Sequence, residues 1–276
     1  NEPYPAILFD KIKDYSEGRR VLIGVHHMSL KRQLLTLNMP LDYDRMQFIQ
    51  TCRERLDHPH NIPPRVVKTG PVMENVKEGK DIDLLSLPVP RWHEDDGGRY
   101  LGTAHVVITR DIDEGWVNLG CYRVMVHDRD TLALYISPGK HGRIMRQKYF
   151  DQGRPFPVAI SFGDDPLLVM TAGKQIAWGA SEYDYAGGIR GEPFDVIMGK
   201  HTGLPIPAKS EITIEGEVLP NEQKREGPYG EWTGYYASGE RSEPILKVKR
   251  LMYRNDPIMT ARSEEHTSEL QSLAYL

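Results

Sequence analysis

The sequence predicts an α+β protein with a β-rich centre, either a barrel or a curved mixed sheet. Three observations lead there. Apolar residues at helical spacing are confined to a few segments near 42–56, 142–151 and 181–190. Between residues 103 and 252 the recurring pattern is instead short apolar runs and period-two alternation. Hydrophobic residues make up 39% of the 276 and charged residues 27%, which supplies a core and excludes wholesale disorder.

In chain order, Val21-Leu22-Ile23-Gly24-Val25 reads as a short buried strand. Asp42 to Leu56 reads as a helix capped by Asp42 or Asp44, with Met46, Ile49, Cys52 and Leu56 on its apolar face. Residues 57–70, rich in Pro, His and Asn, read as an exposed connection, and His58-Pro59-His60 as loop. A boundary is expected there or by Leu84 to Pro90, dividing the chain into 1–90 and 91–261. Thr103 to Arg110 alternates, although Val107 makes its second face apolar too. Leu132 to Ser137 and Val158 to Phe162 are short apolar strands, and Phe162-Gly163-Asp164-Asp165-Pro166 reads as a helix-entry turn. Glu211 to Val218 is the cleanest strand: Ile212, Ile214 and Val218 face inward, while Glu211, Thr213, Glu215 and Glu217 are expected in solvent. Ile245 to Met252 alternates again, and no internal repeat occurs. The ends read as cut. Asn1 is not an initiator Met, and the string from Arg262 to Ser272 matches the in-frame translation of a sequencing adapter. Residues 262–276 are therefore expected to be foreign, with the natural protein continuing past Ala261.

Composition excludes several function classes. A net charge of −4 and a pI near 6.2 speak against sequence-independent nucleic-acid binding. Mean hydropathy is −0.51, no apolar run is long enough to cross a bilayer, and no signal-peptide pattern is present. Cys52 and Cys121 make neither a disulfide framework nor a metal knuckle. The expectation is a soluble, cytoplasmic protein.

Five segments could carry chemistry. Glu94-Asp95-Asp96-Gly97-Gly98-Arg99-Tyr100 is a glycine-bearing turn whose local reading is structural. Asn118-Leu119-Gly120-Cys121-Tyr122-Arg123 suits either a phosphate-bearing cofactor beside a metal or a hairpin with a solvated Arg. His141, after Lys140, and Glu182, after Ser181, open helices. With Asn118 they would form an amide, imidazole and carboxylate set for a divalent ion such as Mn²⁺, or they serve as helix-start residues. In Arg225-Glu226-Gly227-Pro228-Tyr229-Gly230-Glu231 two carboxylates flank a sharp turn and could face one cavity. Joined by Arg123, they would hold one carboxylate charged and leave the other to store and deliver a proton. No P-loop, GxGxxG or GxSxG fingerprint occurs.

These pieces, with Pro207-Ala208-Lys209-Ser210-Glu211-Ile212 and Tyr185-Ala186-Gly187, resemble in their order the UbiD family of prenylated-flavin-dependent (de)carboxylases over most of residues 5–261. The resemblance implies an N-terminal α/β domain, a split β-barrel flavin-binding domain and a C-terminal dimerising domain that this sequence lacks. It implies Asn118, His141 and Glu182 as ligands of Mn²⁺ (or Mg²⁺), with K⁺ close by. Asn118, Leu119, Gly120, Cys121, Tyr122, Arg123, Lys140 and His141 would line prenylated FMN. Arg123, Glu226 and Glu231 would be the Glu–Arg–Glu set, with Glu231 as proton donor. The activity implied is reversible decarboxylation of an aromatic or α,β-unsaturated acid, the cofactor coming from a flavin prenyltransferase and the full-length protein forming a homo-oligomer. The competing readings are a non-catalytic flavin- and metal-binding subunit of a carboxylase assembly and a metal-dependent hydrolase using Asn118, His141 and Glu182.

Overall fold

In the computed structural model, which describes residues 5–25, 29–56, 60–101, 104–231 and 235–261, the chain opens with two antiparallel strands, β1 (Ile7–Phe9) and β2 (Arg20–Ile23). Helices α1 (Leu30–Thr36) and α2 (Arg45–Leu56) follow. Asp44 and Gln47 cap α2 reciprocally, each backbone N–H donating to the other's side chain at 2.8 Å. The apolar face expected for α2 is corrected here. Phe48 and Cys52 are buried, whereas Met46 is 62% exposed, because the helix turns its largest ring inward and the 48/52 row follows it. His58 lies outside the described residues.

The remaining elements are β3 (Arg65–Val66), β4 (Asn75–Glu78), β5 (Arg99–Tyr100), β6 (His105–Arg110), β7 (Val117–Gly120), β8 (Val124–Val126), β9 (Thr131–Leu134), α3 (His141–Asp151), β10 (Phe156–Phe162), α4 (Pro166–Gly173), α5 (Glu182–Arg190), β11 (Asp195–Met198), β12 (Pro205–Pro207), β13 (Ile212–Glu226), β14 (Arg241–Tyr253) and β15 (Ile258–Ala261). The helix-entry turn stands as expected: Asp165 accepts from the Leu167 N–H at 2.9 Å and Pro166 is the first residue of α4.

The main sheet runs β5-β8-β9-β14-β13-β10-β6-β7, with β4 paired to the far part of β14. Its shape follows from connectivity. The connector 121–123 joins β7, at one end of this order, to β8, one strand from the other end. Three residues between two strands span at most about 14 Å, so the sheet must curl until its edges face one another. β13 and β14 carry the curl, with register shifts at Glu215/Gly216 and Val218/Gln223. The result is a mixed α/β fold built on a curled half-barrel.

Two cores lie on either side. Val107, Tyr122, Met145, Phe156 and Phe162 belong to the one inside the curl, under α3. Val106, Ile108, Leu119, Leu168 and Tyr183 belong to the other, which the remaining helices cover. Both faces of β6 are therefore buried, which is why its alternation was imperfect. The polar face of β13 also departs from expectation. Thr213 and Glu215 are wholly buried, the latter because the loop 199–204 folds over it. His201 N–H, Thr202 N–H and the Thr202 hydroxyl donate to Glu215 at 3.2, 3.2 and 2.9 Å, and Arg250 lies 3.5 Å away. Hydrogen bonding also crosses residue 90: β3 pairs with β11, β4 with β14, and β15 lies parallel to β2.

Candidate functional site

Two turns meet at the mouth of the curl. Asp96, fully buried, accepts from Trp92 N–H and His93 N–H at 3.1 and 3.0 Å through one oxygen, and from Gly230 N–H at 2.8 Å through the other. Gly97 N–H donates to the Pro228 carbonyl at 2.7 Å. The approach leaves no room for side chains: a Cβ at Gly97 would stand 1.9 Å from the Gly227 carbonyl oxygen, and Gly227 itself adopts φ +85°. The Asp-Gly-Gly and Gly-Pro-Tyr-Gly sequences are thus two halves of one construction. Arg99 Nη1 donates to the Tyr15 hydroxyl at 2.9 Å.

This construction aims Glu226 and Glu231 at Arg123. Arg123 binds Glu226 with two parallel bonds, Nε to Oε1 at 2.8 Å and Nη2 to Oε2 at 2.9 Å, and reaches Glu231 Oε1 through Nη1 at 3.0 Å. The side chain of Glu226 has no exposed surface and that of Arg123 is 10% exposed, whereas that of Glu231 is 30% exposed. The Tyr100 hydroxyl donates to Glu226 Oε1 at 3.1 Å. Burial and the Glu226 carboxylate hold that phenol protonated. The guanidinium lies 4.5 Å from the Tyr135 ring centroid and 5.1 Å from that of Tyr229. Burial alone would lower the pKa of Arg123, but the hydrogen bonds and charge of Glu226 outweigh it and the net shift is upward. The geometry yields one locked carboxylate and one that shares the same cation yet meets solvent. The reading of Arg123 as a solvated hairpin residue is excluded.

The second group surrounds Tyr122. Its hydroxyl accepts from Asn118 Nδ2 at 3.4 Å and from Gly142 N–H at 3.2 Å, drawing β7 and the first turn of α3 together. Asn118 also donates to the Thr109 hydroxyl at 3.1 Å. Glu182, at the start of α5 and 2% exposed, accepts from Leu119 N–H at 2.7 Å. Burial raises its pKa to about 8 despite that bond. Among the described residues no cationic side chain pairs with it. His141 stands edge-on to Trp116 and Trp178, at centroid distances of 5.5 and 5.2 Å, and burial with the charge of Lys140 lowers its pKa. Lys140 and Cys121 are exposed, while the Leu119 side chain is buried in the outer core and offers this site only its backbone. Among the described residues no three His, Cys, Asp or Glu side chains converge.

His105 joins the two groups. Wholly enclosed on β6, its Nε2 lies 2.7 Å from the Tyr122 carbonyl and so must carry the proton it donates, while Nδ1 has no partner. Burial lowers its pKa to about 4. Sequence reasoning missed His105, Tyr135, Tyr229 and Asp96 as site residues. Asp96 and Tyr229 sit inside motifs that drew attention; His105 and Tyr135 have no local signal.

Comparison with known proteins gives the same outline. A family model described as UbiD, "3-octaprenyl-4-hydroxybenzoate carboxy-lyase Rift-related domain", matches residues 65–264. A phenolic acid decarboxylase of Streptomyces sp. (strain D7) is 34% identical over 263 residues, covering 93% of this chain and 54% of that protein. A pyrrole-2-carboxylic acid decarboxylase of Pseudomonas aeruginosa is 34% identical over 275 residues, covering 95% and 55%. Among solved structures, an evolved dimeric form of the UbiD-class enzyme HmfF from Pelotomaculum thermopropionicum in complex with prFMN superposes with a TM-score of 0.87 at 26% identity, covering 98% of this chain and 61% of that one. The chain spans about half the length of the curated relatives it matches. No helix among the described residues is long and apolar enough to cross a membrane.

Proposed function

The chain belongs to the UbiD family, and from that premise we propose that it carries the proton-transfer and flavin-facing part of a non-oxidative decarboxylase of aromatic or α,β-unsaturated carboxylic acids. The observation that supports this reading most is Arg123 bridging the buried Glu226 and the accessible Glu231.

The residues fit both absent groups. A buried carboxylate at Glu182 with no counter-cation among the described residues would, with the amide of Asn118 and the imidazole of His141, make a donor set suited to Mn²⁺ or Mg²⁺. K⁺ would bind nearby. The metal would anchor the cofactor phosphate close to Lys140 and His141, with the 118–123 backbone along the ring. Prenylated FMN, made by a flavin prenyltransferase, would supply the electron sink that loss of CO₂ from an sp² carbon requires.

The chain's own groups supply the rest. The two parallel bonds to Glu226 fix the plane of Arg123, so Nη1 is held toward Glu231. Tyr100 and Tyr229, with ring centroids 4.5 Å apart, wall the set and exclude water behind it. Glu231, the more exposed carboxyl, delivers the proton that replaces CO₂, and receives it back when the reaction runs toward carboxylation. Relatives named as phenolic acid and pyrrole-2-carboxylic acid decarboxylases support a substrate among aryl acids, and a dimeric relative supports a homo-oligomer.

The test is co-expression with a flavin prenyltransferase in Mn²⁺ and K⁺, followed by the visible spectrum, the mass of the extracted cofactor and CO₂ release from a panel of aryl and acrylic acids. Extracted prenylated FMN with CO₂ release is the expected result. Flavin retained with no CO₂ from any acid would favour the non-catalytic subunit. A folded, flavin-free protein with metal-dependent hydrolysis would overturn the proposal.

A further inference from the structure

The locked carboxylate has a second cation. Arg241 opens β14 directly opposite Glu226, which closes β13, so the two are cross-strand partners. Its Nε lies 3.8 Å from Glu226 Oε2. The same guanidinium stacks on the Tyr135 ring at 4.2 Å, and Arg123 stacks on that ring at 4.5 Å. One aromatic ring is therefore held by two arginines that address the same carboxylate.

The neighbours keep Arg241 from being drawn elsewhere. Glu243, two residues on and on the same side of the strand, lies 3.6 Å from Arg143 and 3.6 Å from Arg146, both on α3. Arg146 is further engaged with the Leu134 carbonyl at 3.3 Å. The anion nearest to Arg241 along β14 is thus held chiefly by α3, Arg241 adding a weaker attraction, and the carboxylate it approaches, at 3.8 Å, is Glu226. Among the described residues the Glu231 side chain is paired to Arg123 alone.

We infer that Arg241, stacked on Tyr135, is a positioning residue that acts through Glu226 to hold the Arg123 guanidinium in one orientation. Resting on the decarboxylase reading, it explains how one of two carboxylates sharing a cation is kept permanently engaged. Without Arg241, Glu226 Oε2 keeps only its bond from Arg123 Nη2, and the paired bonds open more often. The effect on turnover should fall on kcat rather than on KM, because the misplaced group is the one that orients Glu231 and not a surface that binds substrate.

The experiment compares Arg241→Met, which keeps the length and packing, with Arg241→Lys, which keeps the charge. The first readout needs neither substrate nor cofactor: hydrogen exchange of the Arg123 Nε–H, followed by NMR in protein with ¹⁵N-labelled arginine and assigned through Arg123→Lys. Exchange should accelerate about tenfold in R241M and stay near the native rate in R241K. In the flavin-loaded enzyme, R241M should lower kcat with KM within about twofold of native, and R241K should restore it. Native exchange in R241M, or equal losses in the two variants, overturns the inference. Altered exchange as expected in an enzyme that decarboxylates no acid would sink the functional reading and leave the positioning role standing.

Discussion

Around Arg123 the charges of the chain satisfy one another, whereas around Glu182 they do not. Glu226 accepts two bonds from Arg123 and one from Tyr100, Glu231 shares the same cation, and Asp96 is saturated by backbone donors. Glu182 is buried almost as deeply, yet its carboxylate meets only backbone N–H groups, and burial raises its pKa to about 8. Both regions place acids in a low-dielectric interior, where an unpaired charge is costly. The difference teaches that the acids around Arg123 are charge-paired within the polypeptide, while Glu182 is left without a cationic partner among the described residues, the condition the proposed cation site requires. Tyr122 and the connector 121–123 lie between them and tie one to the other.

The largest break in this comparison should come from Glu231→Gln. The amide can still accept from Arg123, so the self-paired region should stay folded and flavin retention should be native. Turnover should fall by about 10²–10⁴-fold. A flavin-loaded variant that releases CO₂ at the native rate removes Glu231 from the role of proton donor.

Glu182→Gln probes the other region. In native protein Mn²⁺ should raise the melting temperature, and in the variant it should not. The metal-free proteins should differ in the opposite sense. Because the folded-state pKa of Glu182 is raised, the stability this group contributes is complete below the ordinary carboxylate range and is lost as pH climbs through about 8. The glutamine does not ionise, so near pH 8.5 the metal-free variant should be the more stable, by on the order of 5 kcal/mol. Chemical denaturation at pH 6 and pH 8.5, with and without Mn²⁺, reads both effects. A native protein indifferent to Mn²⁺ contradicts the proposed cation site.

A smaller effect belongs to His105, which supports the connector between the two regions. Its pKa is depressed to about 4 by burial, so the unfolded chain takes up its proton first as the solution is acidified. The stability this neutral histidine contributes is complete above about pH 6.5 and is lost as pH falls toward about 4. Going from pH 6.5 to pH 5.5, native protein should lose about 1 kcal/mol more than His105→Gln, which keeps a donor but does not titrate. Parallel losses in the two proteins would show that the ring is not held neutral.

Much of the fold was legible because its signals are local. The Asp44 and Gln47 cap, the Asp165-Pro166 helix entry and the runs that became β10 and β14 need only neighbours in sequence to form. The site was legible where chemistry is bunched, as in 118–123 and 226–231. What stayed hidden depends on partners far along the chain. The acidic face of β13 looked solvated because nothing in that strand signals the loop that covers Glu215. Met46 looked as inward-facing as Cys52 because helical spacing does not say which side meets the core. Tyr135 and Arg241 sit in ordinary strand and loop sequence, and only the pairing of β13 with β14 sets Arg241 against Glu226.

By itself, then, the sequence determined which segments could be strands or helices, which turns required glycine, and which acids, amides and cations were available for chemistry. These are properties of residue type and short-range spacing, written into sterics and periodicity. Only the tertiary structure decided which of two neighbouring carboxylates is buried, which histidine stays neutral and which acid is left without a cation. Those outcomes depend on desolvation and on charges brought together from residues more than a hundred positions apart, as Arg123 and Glu226 are.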